Sequence, residues 1–456
     1  MEPLLNDAAR RALRYLDELE ERSVVPAPAD VSRLSQLGGP LPDAPTDPAV
    51  TLALLDEIGS PATVASAGGR FFGFVTGGSL PVAVAANWLA AAWDQNSALA
   101  VMSPVATALE EITLPWLLEI FGLPATSGGA FVSGATMANF SAILAARHAL
   151  LAQVGWDVEA QGLFGAPNIH VVVGDEVHVS LLKALGMAGF GRERVLRVAA
   201  DGQGRMRADA LADLLPQLNG PILLCLQAGN VNTGAFDPAR DLCALGREVG
   251  AWIHVDGAFG LWAAAAPQRA YLMDGYREAD SWAVDAHKWL NVPYDSALAL
   301  VRDRQTLRDA MSISAAYLMQ AETREPYHYT PEMSRRARGV EIWAALRTLG
   351  RSGVAEMIER TCQFATRFAE GLRTAGYEVL NDVVLNQVLV AFGDDDTTQR
   401  VVAAVQADGT CWCGSSVWHG RTVMRVSVSS WATTAEDVER SLAAMLRIAE
   451  RTRHAV

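Results

Sequence analysis

The chain has 456 residues, half of them hydrophobic and 19% charged, which leaves room for two or three domains with sizeable cores and excludes a disordered chain. Its 37 Lys and Arg against 51 Asp and Glu give a net charge of −14, the opposite of the clustered positive charge that a nucleic-acid partner requires. Cys225, Cys243, Cys362, Cys411 and Cys413 are an odd set in a long chain, which argues against a disulfide framework and for a cytoplasmic location.

In chain order, the N-terminal MEPLLNDAARRALRYLDELEERS carries charges throughout, so it does not read as a secretory signal. No run reaches the roughly 18 apolar residues of a membrane span. Leu13, Leu16 and Leu19 recur at helical spacing before the prolines of VVPAPADVSRL, predicting an N-terminal helical arm. The longest apolar stretch, LPVAVAANWLAAAW, reads as a buried helix. From about residue 100 to 300, short apolar runs alternate with helical segments. AFVS, NIHVVVG, PILLCLQAG, AWIHVDG, SWAVDA and ALALVR read as strands, and ATMANFSAILAARHALLAQ and DPARDLCALGREVG as helices between them. Such alternation predicts an α/β fold with a large, mostly parallel sheet and helices on both faces. A long helical segment from about residue 340 then leads to the strand-like YEVLN, QVLVAFG and TVMRVSVSS and a last amphipathic helix, a smaller C-terminal α+β domain. The expected division is 1–100 for the arm and the segment after it, 101–335 for the sheet domain and 336–456 for the C-terminal domain.

The densest chemistry lies where His254-Val255-Asp256-Gly257-Ala258 ends one predicted strand and Asp285-Ala286-His287-Lys288-Trp289 ends the next. Ligands of open α/β sheets bind outside the carboxyl ends of the strands, so Asp256 and Lys288 converge on one crevice. A lysine that can form a Schiff base and a carboxylate that can keep a pyridine nitrogen protonated point to pyridoxal 5'-phosphate. Val132-Ser133-Gly134-Ala135-Thr136 joins a strand to a helix through small residues, and backbone N–H groups and the Thr136 hydroxyl there suit a phosphate. The competing reading makes Asp256 a helix cap, Lys288 a solvated lysine and the small-residue turn an ordinary N-cap. Cys411-Trp412-Cys413 has no second Cys/His pair at zinc-ligand spacing, so no metal is expected.

These residues resemble the pyridoxal-phosphate-dependent group II amino-acid decarboxylases, a family that includes aromatic-amino-acid and glutamate decarboxylases. The resemblance runs along nearly the whole chain. It is most specific in HVDGAFG, in SWAVDAHKWLNVPYDSALALV and in GGAFVSGATMANFSAILAAR. It implies the fold-type I transferase-like architecture, Lys288 as Schiff-base lysine, Asp256 as pyridinium partner, and Gly134, Ala135, Thr136, Asp285 and His287 toward the phosphate. His178 matches the histidine that stacks on the cofactor ring, Asn232 or Thr233 a loop contact, and Ala258 a residue packed against the ring.

On the substrate side the resemblance implies Arg425 for the α-carboxylate, through a bidentate fork. A surface strand arginine is the alternative. Tyr327 falls near the family's mobile-loop tyrosine, which returns a proton to Cα, and Tyr329 competes with it. Phe71, Phe72, Phe74 and Trp93 match a pocket wall that often crosses a dimer interface, Trp93 serving equally as core. The implied activity is decarboxylation of an L-amino acid to an amine and carbon dioxide by a homodimer. The alternatives are a C–C lyase or an aldehyde-forming oxidative deaminase on the same frame, and a non-catalytic protein that keeps the fold. Gly-Ala-Thr in the phosphate turn, Met137 and Gly257 depart from the family's usual residues.

Overall fold

The six short apolar runs and Leu196–Val198, which the pattern did not single out, form the strands of one sheet: β1 (Gly128–Val132), β2 (His170–Gly174), β3 (Leu196–Val198), β4 (Ile222–Gln227), β5 (Trp252–Asp256), β6 (Ser281–Asp285) and β7 (Ala297–Val301). The computed structural model describes residues 1–313 and 324–454. The sheet order is β1-β7-β6-β5-β4-β2-β3, with β7 antiparallel to both neighbours and the remaining pairs parallel.

Because the strands are buried on both sides, they read as continuous apolar runs. Side chains still alternate between the faces. On β5, His254 and Asp256 face the helix Ala135–Ala152, whose Asn139 touches both. Ile253 faces the other way: a Cβ on Gly246 of the helix Ala239–Glu248 would meet Ile253 and Leu224 at 3.2 and 3.1 Å. Helices therefore cover both faces, as the alternation predicts. Ala138, Ala142, Ala145 and Ala146 are fully buried on the helix Ala135–Ala152, and their small side chains let it lie close on the sheet.

A second sheet holds β8 (Glu378–Val379), β9 (Gln387–Ala391), β10 (Gly414–Trp418) and β11 (Arg421–Ser427) in the order β10-β11-β9-β8, with β8–β9 and β10–β11 antiparallel. The chain separates into two compact units, one of residues 79–365 and 381–387, the other of residues 1–78, 366–380 and 388–456. This differs from the expected division in two places. Residues 1–78 fold with the C-terminal sheet, because Phe72 N–H donates to the Trp412 carbonyl and Ser427 N–H to the Phe72 carbonyl. The second boundary falls inside the helical run Gly339–Thr374, which continues across it apart from a non-helical Gly350.

One local expectation changes, and the expected N-terminal helix is present. The helix Pro81–Trp93 is not fully buried, since Trp88, Leu89 and Trp93 are 45%, 54% and 43% exposed. The N-terminal helix Glu2–Asp17 buries no residue, and its Leu13 is exposed.

Candidate active site

The sheet register brings the two sequence motifs to one end. Val132, the last residue of β1, and Asp285, the last of β6, both pair with Ala297 of β7, so the turn after β1 and the Asp285–Lys288 segment flank one strand. Asp256 pairs with Ala283 on one side and Gln227 on the other, which puts it at the carboxyl ends of the same parallel strands.

Lys288 Nζ lies 3.0 Å from Asp285 Oδ2, with the lysine side chain 20% exposed and the aspartate nearly buried. The other oxygen, Oδ1, accepts the Ala135 N–H at 2.6 Å, at the N-terminus of the helix Ala135–Ala152. Negative charge is favoured at that end of a helix. Asp285 thus ties the lysine to the helix N-terminus. His287 Nδ1 accepts the Ser296 N–H at 3.1 Å, which leaves the proton on Nε2, 3.5 Å from Asp285 Oδ1. Burial lowers the His287 pKa, with Asp285 opposing, so the ring is held toward its neutral form. Gly134 caps the helix in extended backbone, and the half-buried Ser133 and Thr136 hydroxyls make no hydrogen bond among the described residues.

Asp256 is 5% exposed and held at three points. Its Oδ1 accepts Ala258 N–H at 3.2 Å, its Oδ2 accepts Asn139 Nδ2–H at 3.1 Å, and its carbonyl accepts Ala228 N–H at 2.9 Å. The loops behind it pack so closely that a Cβ on Gly260 would stand 2.2 Å from the Ala228 carbonyl oxygen, a contact only glycine permits. His178 is the N-cap of the helix Val179–Met187: its Nδ1 accepts Ser180 N–H at 3.2 Å, so Nε2 carries the proton and the half-exposed ring is fixed in orientation.

In the loop after β4, the Thr233 hydroxyl donates to the Gln203 carbonyl and accepts Ala235 N–H, and the residue is fully buried. Its side chain holds the loop together. Asn232 stays 9% exposed, and its N–H donates to the buried Asn230 Oδ1, which also receives Thr233 N–H. Asn230 was not singled out by its sequence context, and neither were Asn139 and Ser281. His254 stands inside the quoted motif, and its spacing of two from Asp256 is the one signal that places it on the same face.

Within the smaller unit, Phe71 and Phe72 are 7% and 1% exposed, so they are core and not pocket wall. Phe71 stacks on Trp412 at 5.0 Å and Phe72 meets Phe368 edge-on at 5.1 Å. Phe74 is 64% exposed. Arg425 lies on β11 opposite Gly414; its guanidinium is largely buried, has no hydrogen-bond or ion-pair partner among the described residues, and has its pKa lowered by burial. A buried cation without a counter-ion suits an incoming carboxylate.

The tyrosines differ from expectation. Tyr327 and Tyr329 sit in a short buried turn, Pro326–Tyr329, at 3% and 6% exposure. Tyr329 joins the apolar cluster of Val132, Ala138 and Ala299, with the Arg324 guanidinium 4.0 Å above its ring. Neither is on an open loop. A third tyrosine of this stretch, Tyr317, lies outside the described residues.

These groups fit pyridoxal phosphate: unpaired hydroxyls at a helix N-terminus for the phosphate, an oriented carboxylate for the pyridine nitrogen and an accessible lysine for the carbonyl carbon. Among the described residues, no group of three or more His, Cys, Asp or Glu stands as a metal site, and no helix is long and apolar enough to cross a membrane. Comparison with known proteins agrees. Residues 60–393 match the pyridoxal-dependent decarboxylase conserved domain. An L-2,4-diaminobutyrate decarboxylase of Rhizobium meliloti (strain 1021) is 30% identical over 426 residues, 89% of this chain and 83% of its own. An aromatic-L-amino-acid decarboxylase of Bacillus atrophaeus is 26% identical over 400 residues, 84% of this chain and 81% of its own. The crystal structure of Oryza sativa TDC with PLP and tryptamine superposes with a TM-score of 0.92 at 22% identity, covering 99% of this chain and 97% of that one. A lysine, a carboxylate and a helix N-terminus at one sheet end thus coincide with a family match over most of the sequence, and the chain belongs to the pyridoxal-dependent decarboxylase family, as a pyridoxal-phosphate-dependent amino-acid carboxy-lyase.

Proposed function

We propose that decarboxylation of an L-amino acid is divided among Lys288, Asp256, His178, the Gly134–Thr136 turn and Arg425. Pyridoxal phosphate, when bound, supplies an electron sink for the pair left behind as the Cα–carboxylate bond breaks. Lys288 would hold the cofactor through its carbonyl carbon. Asp256 holds a proton on the ring nitrogen, and its two side-chain hydrogen bonds fix the direction in which it does so. His178, locked by Ser180, presents a flat ring face. The N–H groups and hydroxyl at the start of the helix Ala135–Ala152 bind the phosphate, with Asp285 and His287 keeping Lys288 and that helix end in register. Ala258 and Asn232 are the remaining contacts, while Thr233 supports the loop from within.

Arg425 serves the substrate α-carboxylate, supported by its buried, partnerless guanidinium. We also assign the chain to a homodimer, supported by the exposed apolar side chains of Trp88, Leu89 and Trp93, and to the cytoplasm, supported by five buried free cysteines.

The observation that carries the site assignment is the 3.0 Å pairing of Lys288 with Asp285 at the phosphate-binding helix end. The test is Lys288→Ala, assayed with a panel that includes aromatic L-amino acids and L-2,4-diaminobutyrate. The parent is expected to show a visible band from lysine-bound cofactor and to release carbon dioxide and amine in equal amounts. The variant is expected to lose both; steady-state turnover at the parental rate would reject Lys288.

A further inference from the structure

Four polar side chains behind Asp256 form one continuous chain of hydrogen bonds. Trp252 Nε1 lies 2.9 Å from Ser281 Oγ, Ser281 Oγ 2.9 Å from His254 Nδ1, His254 Nε2 2.9 Å from Asn139 Oδ1, and Asn139 Nδ2 3.1 Å from Asp256 Oδ2. Asn139, His254 and Ser281 are all fully buried.

Chemistry at the two ends fixes the direction of every bond. An indole N–H can only donate, and a carboxylate can only accept. The Asn139 amide must therefore give its N–H to Asp256 and receive His254 Nε2–H on its oxygen. His254 Nδ1 is then the acceptor, so the Ser281 hydroxyl donates to it and accepts from Trp252. Burial lowers the His254 pKa to about 3, which agrees with a ring carrying one proton. With the ring carrying a single proton, no other arrangement satisfies all four contacts.

We infer that Asn139, His254 and Ser281 are positioning residues that aim Asp256 at the cofactor's ring nitrogen and so maintain the proton there. This rests on the assignment of Asp256 to that nitrogen. The strands supply the geometry: His254 pairs with Ser281 in register, two residues before Asp256 on the same face, and Asn139 is one helical turn after Ala135 at the phosphate end. One helix would thus hold the phosphate at its first turn and aim Asp256 through its second.

The test uses holoenzyme carrying cofactor labelled with ¹⁵N at the pyridine nitrogen, and reads the nitrogen chemical shift and the cofactor dissociation constant. Asn139→Ala is expected to move the shift toward the unprotonated value and to weaken cofactor binding about tenfold, the scale on which groups orienting a ligand's partner act. His254→Gln keeps a donor for Asn139 and is expected to stay near the parent, whereas His254→Leu follows Asn139→Ala. Ser281→Ala, a small change at the far end, moves the shift in the same direction and covers the case in which Asn139→Ala does not fold. Parental shift and affinity in His254→Leu and Ser281→Ala, with Asp256→Ala altering both, would overturn the inference alone. A shift unmoved by Asp256→Ala would overturn the underlying assignment as well.

Discussion

At the scale of single residues, burial sets protonation, and His254 shows how that reaches stability. Its folded pKa is lowered from 6.5 to about 3 by burial, so between those values the unfolded chain binds a proton that the folded chain refuses. The contribution is present above pH about 6.5 and is lost as pH falls. Asp237 acts in the opposite sense: burial raises it to about 6, so it holds a proton in the folded state that the unfolded chain releases, and its contribution falls as pH rises toward 6. His254→Gln removes only the first effect. Relative to the parent, the variant is expected to gain stability on acidification from pH 6 to pH 4, by up to ~1.4 kcal/mol per pH unit in urea unfolding. Parallel pH profiles for the two proteins would show that His254 takes up its proton in the folded state.

At the scale of elements, the proposed return of a proton to Cα falls on the segment after β7. Return of a proton to Cα gives the amine; failure to return it leaves the carbon open to oxidation by dioxygen, which gives aldehyde and ammonia with hydrogen peroxide as the reduced product. The turn Pro326–Tyr329 packs its tyrosines into the interior, Tyr327 N–H donating to the Ala98 carbonyl and Tyr329 lying under Arg324. A hydroxyl so placed reaches a substrate only when this turn opens, and the proposed donor stays Tyr327, with Tyr329 as its competitor. Tyr327→Phe is expected to raise the share of aldehyde and ammonia among the products, while Tyr329→Phe leaves amine dominant. Aldehyde from Tyr329→Phe in place of Tyr327→Phe would move the assignment to Tyr329. The smaller unit shows a comparable tightness: Gly73 lies under Trp412 so closely that a Cβ would come within 2.2 Å of the indole.

At the scale of the whole molecule, the exposed aromatics matter more than the net charge. Trp88, Leu89 and Trp93 share the outer side of the helix Pro81–Trp93, a larger apolar surface than single exposed residues explain. A 48.7 kDa chain is expected to sediment as a dimer, and Trp88→Asp with Trp93→Asp to shift it to monomer. A monomeric parent protein would remove the homodimer assignment and leave this face without a partner.

Local pattern was enough for the α/β alternation, because strands buried on both faces must be continuously apolar, and it brought Asp256 and Lys288 forward as site candidates, because they are charged groups at the ends of apolar runs. Period-two alternation also put His254 on the Asp256 face, although nothing local gave it a role. Other features depended on contacts between distant segments. That β7 runs antiparallel between β1 and β6, bringing Gly134 beside Asp285, is a matter of strand order, which local pattern does not encode. That Asn139 joins His254 to Asp256 depends on which face of an alanine-rich helix meets the sheet. That Phe72 is core while Phe74 is exposed depends on the pairing of residues 70–72 with Trp412 and Ser427, more than 300 positions away in the sequence. Hydrophobic pattern is a property of neighbours along the chain, whereas hydrogen-bond direction and burial are properties of neighbours in space, and only the folded chain assigns those.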